Sequence, residues 1–294
     1  MSSTSTCRSS AAVAALSALL VLPGAAPRPT AVPDASEGYV LVWADEFNEP
    51  GRPNADNWDF EHGFKRNREA QWYQPDNAFV ENGSLIIEGR RERIENPDYT
   101  PGASSWKQSR RYAEYTSASL NTAGRHEWLY GIFEMRAKID ARAGLWPAWW
   151  TLGSARSWPG CGEIDIMEYY DGDLLANACW AKRGGRWAQH WDAVRQPLDR
   201  LGGEAWASEF HVWRMEWTAE SITIFVDDVL LNTIALSKTI NPDGSNPFQE
   251  PHYMLVNLAI GGNNGGDPSE TVFPSRYEID YIRVYQKPET AGTP

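Results

Sequence analysis

Gly162-Glu163-Ile164-Asp165-Ile166-Met167-Glu168-Tyr169-Tyr170 sets three carboxylates among β-branched and aromatic residues, behind a glycine. Strand side chains alternate, so Glu163 and Asp165 share one face while Ile164 and Ile166 share the other. Strict alternation would turn Glu168 into the apolar face. One extra residue near Ile166-Met167, a β-bulge, returns it to the side of Asp165. A solvent-facing acidic strand is the plainer alternative. Three like charges on one strand repel, however, and Met167 and Tyr169 interrupt any solvated face. Costs of that kind collect where a protein does chemistry.

With the bulge absorbing one residue, Glu163 and Glu168 lie about four strand steps apart, roughly 13 Å between Cα atoms. Side chains that each lean inward by ~4 Å would bring the carboxyls to ~5 Å. A separation of about 5–5.5 Å suits glycoside cleavage with retention, whereas inversion needs about 6.5–9.5 Å to admit a water. One Glu would attack the anomeric carbon, and the other would protonate the leaving oxygen and later activate water. Asp165 between them would hold a proton or hydrogen bond and drive their pKa values apart.

Other segments extend the pattern: Trp43-Ala44-Asp45-Glu46-Phe47, Val80-Glu81-Asn82-Gly83-Ser84-Leu85, Tyr130-Gly131-Ile132-Phe133-Glu134 and Leu145-Trp146-Pro147-Ala148-Trp149-Trp150. Asn257-Leu258-Ala259-Ile260-Gly261-Gly262 and Glu278-Ile279-Asp280-Tyr281-Ile282-Arg283-Val284-Tyr285 close the series. Together with a Glu-x-Asp-x-x-Glu motif filled by Glu163, Asp165 and Glu168, the chain resembles glycoside hydrolase family 16, the laminarinase and agarase group. The resemblance runs in order from residue 40 to 286. It implies a jelly roll, an all-β sandwich of two curved antiparallel sheets with a substrate cleft across the concave one. The residues agree. Short apolar-aromatic runs such as Ser84–Glu88, Gly131–Ile139 and Ser221–Val226 alternate with Gly, Asn, Asp and Pro clusters, as in sandwiches and barrels.

The 294 residues organise simply. Residues 1–26 read as a secretory signal, with Arg8, an apolar stretch from Ala11 to Leu22 and small residues at Gly24-Ala25-Ala26. Residues 27–38 read as a flexible linker, 39–287 as the catalytic domain and 288–294 as a loose tail. No later stretch is apolar enough for a membrane helix. Export, no membrane and a monomer are the expectations. A net charge of −12 disfavours nucleic acid and, mildly, sulfated polysaccharides. Fifteen tryptophans suit a neutral glycan, since an indole face fits the C–H face of a pyranose. Past the signal only Cys161 and Cys179 remain. They are expected as buried thiols, with a disulfide as the alternative if a hairpin turns at Asp171-Gly172-Asp173.

Trp146, Ala148, Trp150 and Leu152 share one strand face, so Trp146 and Trp150 can floor a cleft beside the acidic strand, or else sit in the core. Trp158, in a loop with Pro159 and Gly160, could form its wall. The resemblance places Trp146, Trp150 and Trp158 against sugar near the cleavage point and makes Asn67 a polar cleft residue. It also implies a structural calcium held by main-chain and carboxylate oxygens of Glu46, Gly83 and Asp280, ligand types that suit calcium's flexible oxygen shell. No cofactor is expected for the chemistry. One departure stands out. Many laminarinases carry a His-Gly-Thr-x-His strand after the acidic one, whereas here Leu174-Leu175-Ala176-Asn177-Ala178-Cys179-Trp180 has no histidine. Trp180 is a candidate for that corner. The resemblance implies a retaining endo-hydrolase of a neutral β-glucan, with β-1,3-glucan first, Glu163 as nucleophile, Glu168 as acid/base and Asp165 in support. An endo-β-galactanase of the same fold and a non-catalytic β-glucan-binding protein are the alternatives.

Overall fold

The computed structural model describes Met1 and residues 38–288. The secretory signal, nearly all of the linker and nearly all of the tail expected above lie outside the described residues. Two antiparallel sheets carry the fold. The first runs in the order Gln189–Pro197, Asp173–Ala181, Glu163–Tyr170, Leu145–Gly153, His252–Ile260, Ser119–Asn121, Asp59–Phe60. The second runs Val229–Ala235, Ser221–Val226, His211–Trp217, Gly131–Lys138, Ser275–Gln286, Ser84–Gly89, Ala78–Glu81. Val40–Asp45 pairs with the far end of the Ser275–Gln286 strand. This is the jelly roll that the sequence leads one to expect.

The sheets meet through the inward residue of each alternating pair. Ile164, Ile166 and Trp149 of the first sheet and Met135, Trp213, Met215 and Ile282 of the second belong to one buried core. The turns obey local backbone chemistry. Asp171 and Gly172 both have positive φ, the requirement of a tight two-residue hairpin, and they join Glu163–Tyr170 to Asp173–Ala181 with Tyr170 opposite Asp173. Gly162 enters the acidic strand at φ +76°, where an added Cβ would come within 2.9 Å of Pro247. Only glycine fits this entry without strain.

Candidate active site

The bulge sits where alternation demands it. Ala148 pairs with Glu168, Trp149 with Met167 and Trp150 with Asp165, so Ile166 is the extra residue. On the other flank Asp165 faces Asn177 and Glu168 faces Leu175, and Ile166 and Met167 share the place opposite Ala176. Both apolar residues are fully buried in the core. Their burial holds the bulge and keeps all three carboxylates on the outer face. Because Glu163 faces Cys179 and Glu168 faces Leu175, the two Glu lie four steps apart along the partner strand, roughly 13 Å.

A cleft of about 700 Å³ opens over this face, lined by Glu163, Asp165, Glu168, Trp146, Trp150, Trp158 and Asn67 among others. The structure thus brings together the residues expected at the cleft, Trp180 excepted. Trp146 and Trp150 face the cleft, and Trp149 between them fills the core. Each carboxylate has its own donor. The Trp146 indole donates to Glu168 Oε1 at 2.7 Å, and the Trp158 indole donates to Glu163 Oε2. Asn177 Nδ2 donates to Asp165 Oδ2 at 3.1 Å and to Glu168 Oε2 at 3.4 Å.

Burial raises the pKa of all three groups, and their neighbours then separate them. For Glu163 the Trp158 N–H, the Arg66 guanidinium and a hydrogen bond from Asp165 work against burial and favour the anion. Asp165 is held well above the usual carboxylate range by burial and by the charges of Glu168 and Glu163, so it keeps a proton to give to Glu163. Burial pushes Glu168 up to about 8, opposed by the Trp146 N–H and reinforced by the Glu163 charge. Donors that favour the anion thus gather on Glu163, while neighbouring negative charge favours the protonated form of Asp165 and Glu168.

Several cleft residues were not anticipated from the sequence. Arg66 lies over the Trp150 ring at 5.0 Å and is anchored by Glu61, with its Nη1 buried and without a hydrogen-bond partner among the described residues. Asn177 Oδ1, on the opposite flank of the acidic strand, is likewise buried and unsatisfied. A donor on one flank and an acceptor on the other are what hydroxyl-bearing ligands satisfy. Asn67, at φ +53°, donates to Glu69 Oε1 at 3.3 Å, and Glu69 is itself buried and held by Gln71 at 2.8 Å. Asn177 had one visible signal, a lone amide within the apolar run Leu174–Trp180.

Three expectations are corrected or decided here. Trp180 does not occupy the corner beside Glu163. It turns into the core against Phe248, because alternation along Asp173–Ala181 sends Leu175, Asn177 and Cys179 the other way. Cys179 therefore faces Glu163. Cys161 and Cys179 are free, buried thiols, and burial pushes Cys161 up to about 11. Register draws Glu46, Gly83 and Asp280 toward one region of the second sheet. There, however, Arg283 holds Glu46 at 2.6 and 3.0 Å, and Arg136 holds Asp280 at 2.7 Å. Both carboxylates are thus already engaged by guanidinium groups, which compete with a cation for those oxygens. Among the described residues, no group of three or more His, Cys, Asp or Glu side chains could hold a metal.

Comparison with known proteins agrees with this geometry. The profile of "Glycosyl hydrolases family 16" matches residues 70–283. The chain is 36% identical over 276 residues to a beta-glucanase of Rhodothermus marinus, covering 86% of this chain and 87% of that one. The catalytic domain of a Thermotoga maritima laminarinase superposes with a TM-score of 0.71 at 33% identity, covering 84% of this chain and 98% of that one. A structure from work on endo-acting O-glycanases of the human gut microbiota superposes at 0.78 with 32% identity, covering 88% and 94%. A family profile matched over most of the chain, a relative of nearly equal length and a shared fold place this protein in glycosyl hydrolase family 16.

Proposed function

We propose that this protein is an exported endo-glycosidase that cleaves a neutral β-glucan, most favourably β-1,3-glucan, with retention of configuration. One observation carries the reading. A buried Asp165 and two half-buried glutamates share the cleft face of one bulged strand, with a separate indole donating to each glutamate and Asn177 donating to Asp165. A Glu163 oxygen forms a bond to the anomeric carbon as the bond from that carbon to the leaving oxygen breaks. Glu168 gives its proton to that oxygen. In the second step Glu168, now anionic, takes a proton from water while the water oxygen attacks the same carbon and Glu163 is released. Asp165 donates to Glu163 while the latter is an anion and so fixes its orientation. The chemistry uses only these side chains and water.

The substrate reading is supported by the beta-glucanase and laminarinase relatives and by a cleft walled with indoles. A β-galactan or a mucin-type O-glycan is the second reading. It is favoured by the lack of a histidine in the stretch Leu174–Trp180 beside the acidic strand and by the fit to the O-glycanase structure. A silent binding protein would not require the proton-bearing arrangement of three carboxylates. Incubation with laminarin, lichenan, agarose, carrageenan and mucin, followed by analysis of the released oligosaccharides, separates these readings. An NMR time course on a β-linked substrate should show the β-anomer first. The α-anomer appearing first would overturn the retaining mechanism.

A further inference from the structure

Trp187 and Trp191 have side chains that neither the core nor the chemistry explains. Most of the described tryptophans are packed, yet Trp187 is 58% and Trp191 45% exposed; Trp191 lines the cleft, and Trp187 packs against the cleft residue Trp158. Exposed indoles leave a large apolar area in water, and tryptophan is enriched where such an area meets a partner. Trp191 lines the cleft from the edge strand Gln189–Pro197, with Gln189, Ala193 and Arg195 alternating on the same face. It faces Cys179, which in turn faces Glu163, so it stands two strands from the acidic strand, roughly 10 Å away at ~4.8 Å per strand. That distance is about two sugar widths. Trp146, Trp150 and Arg66 lie on the opposite flank.

The Trp187 indole does not swing free. Trp187 packs at 6.1 Å and 34° against Trp158, the residue whose N–H holds Glu163, and Arg186 lies over the Trp187 ring itself at 4.8 Å. Arg195 is fixed by Asp173 at 2.7 Å and lies over Tyr170 at 5.3 Å, presenting guanidinium N–H groups along the cleft. The small Ala193 between Trp191 and Arg195 leaves a shallow seat between an apolar plate and a hydrogen-bonding group. A flat ring with one apolar face and a polar rim is the matching shape, and that describes a pyranose.

Resting on the glycosidase reading above, we propose that Trp187 and Trp191 form an aromatic platform for sugar rings beyond the reaction centre, so that the glycan is held on both flanks of the acidic strand. Such a platform favours long chains bound mid-length over chain ends. It is continuous with the cleft, so its occupant is the same glycan that is cleaved.

The experiment compares the wild-type protein with Trp187→Ala, Trp191→Ala and the double variant on laminarin and on a trisaccharide of the same linkage. The platform requires kcat/KM on laminarin to fall about tenfold for Trp191→Ala, further for the double variant, through KM rather than kcat. The loss on the trisaccharide should be markedly smaller. Melting temperatures should stay close to wild type, because neither side chain is core. Equal losses on both substrates, or none, would overturn the platform. If the wild-type protein cleaves no glycan in the panel, it is the glycosidase reading that fails. If the wild-type protein cleaves laminarin and the variants match it, only the platform fails.

Discussion

At the scale of single residues, function turns on which carboxylate keeps a proton. With Glu168 at about 8, the proposed acid is protonated at neutral pH, so kcat/KM should fall as pH rises through that value. The Trp146 N–H lowers the Glu168 pKa, and removing it should therefore raise that pKa. Trp146→Phe should shift the basic limb to higher pH as well as slow the reaction. A profile that stays flat to pH 10 in the wild type, or a limb moving downward in Trp146→Phe, would contradict Glu168 as the acid. The two roles can also be separated chemically. Glu168→Ala with a good leaving group should be rescued by azide to the β-glycosyl azide, since Glu163 can still form the covalent intermediate. Glu163→Gln should lose nearly all hydrolysis, and azide should not restore the native stereochemistry. The reverse pattern would exchange the two assignments.

At the scale of the element, one strand and the loop before it separate cleft from core. Trp149 and Trp150 are neighbours in sequence, yet Trp149 is buried between the sheets and Trp150 lines the cleft, where its indole donates to Asn257 at 2.8 Å. Trp149→Ala should cost about 3–5 kcal/mol of stability, the usual toll for emptying a core aromatic site. Trp158→Ala, in a loop and half-buried, should instead reduce turnover of long glucans with little change in melting temperature. Melting temperature measured beside activity distinguishes the two. A large fall in stability with unchanged activity for Trp158→Ala would remove it from the site. The bulge belongs to this scale too. Its presence was legible from the odd spacing of Glu163, Asp165 and Glu168, because alternation admits no other way to place three carboxylates on one face. Trp180 misled because an indole beside a missing histidine looks like its replacement, while the parity of its position along Asp173–Ala181 directs it inward.

At the scale of the molecule, the second sheet uses arginine where an ion was expected. Arg283 with Glu46 and Arg136 with Asp280 are half-buried to buried ion pairs that already neutralise the carboxylates. A chelator should therefore leave the melting temperature unchanged, and millimolar calcium should not raise it. A rise of several degrees on adding calcium would show a binding site that stabilises the fold by linkage.

The sequence by itself determined the pattern of short β-strands, the bulged acidic strand and the parity that sets Trp149 on the face opposite Trp146 and Trp150. All of these follow from local periodicity and from the backbone preferences of a few residues. Only the tertiary structure decided that Arg66, Asn177 and Cys179 converge on the carboxylates, that Trp187 and Trp191 stand beside the same cleft, and that arginines hold Glu46 and Asp280. Those contacts join segments separated by tens to hundreds of residues, and neither periodicity nor composition states which strand lies beside which. The proton distribution among Glu163, Asp165 and Glu168 belongs to the same class. It depends on burial and on the N–H groups aimed at each oxygen, which exist only once the sheets have packed.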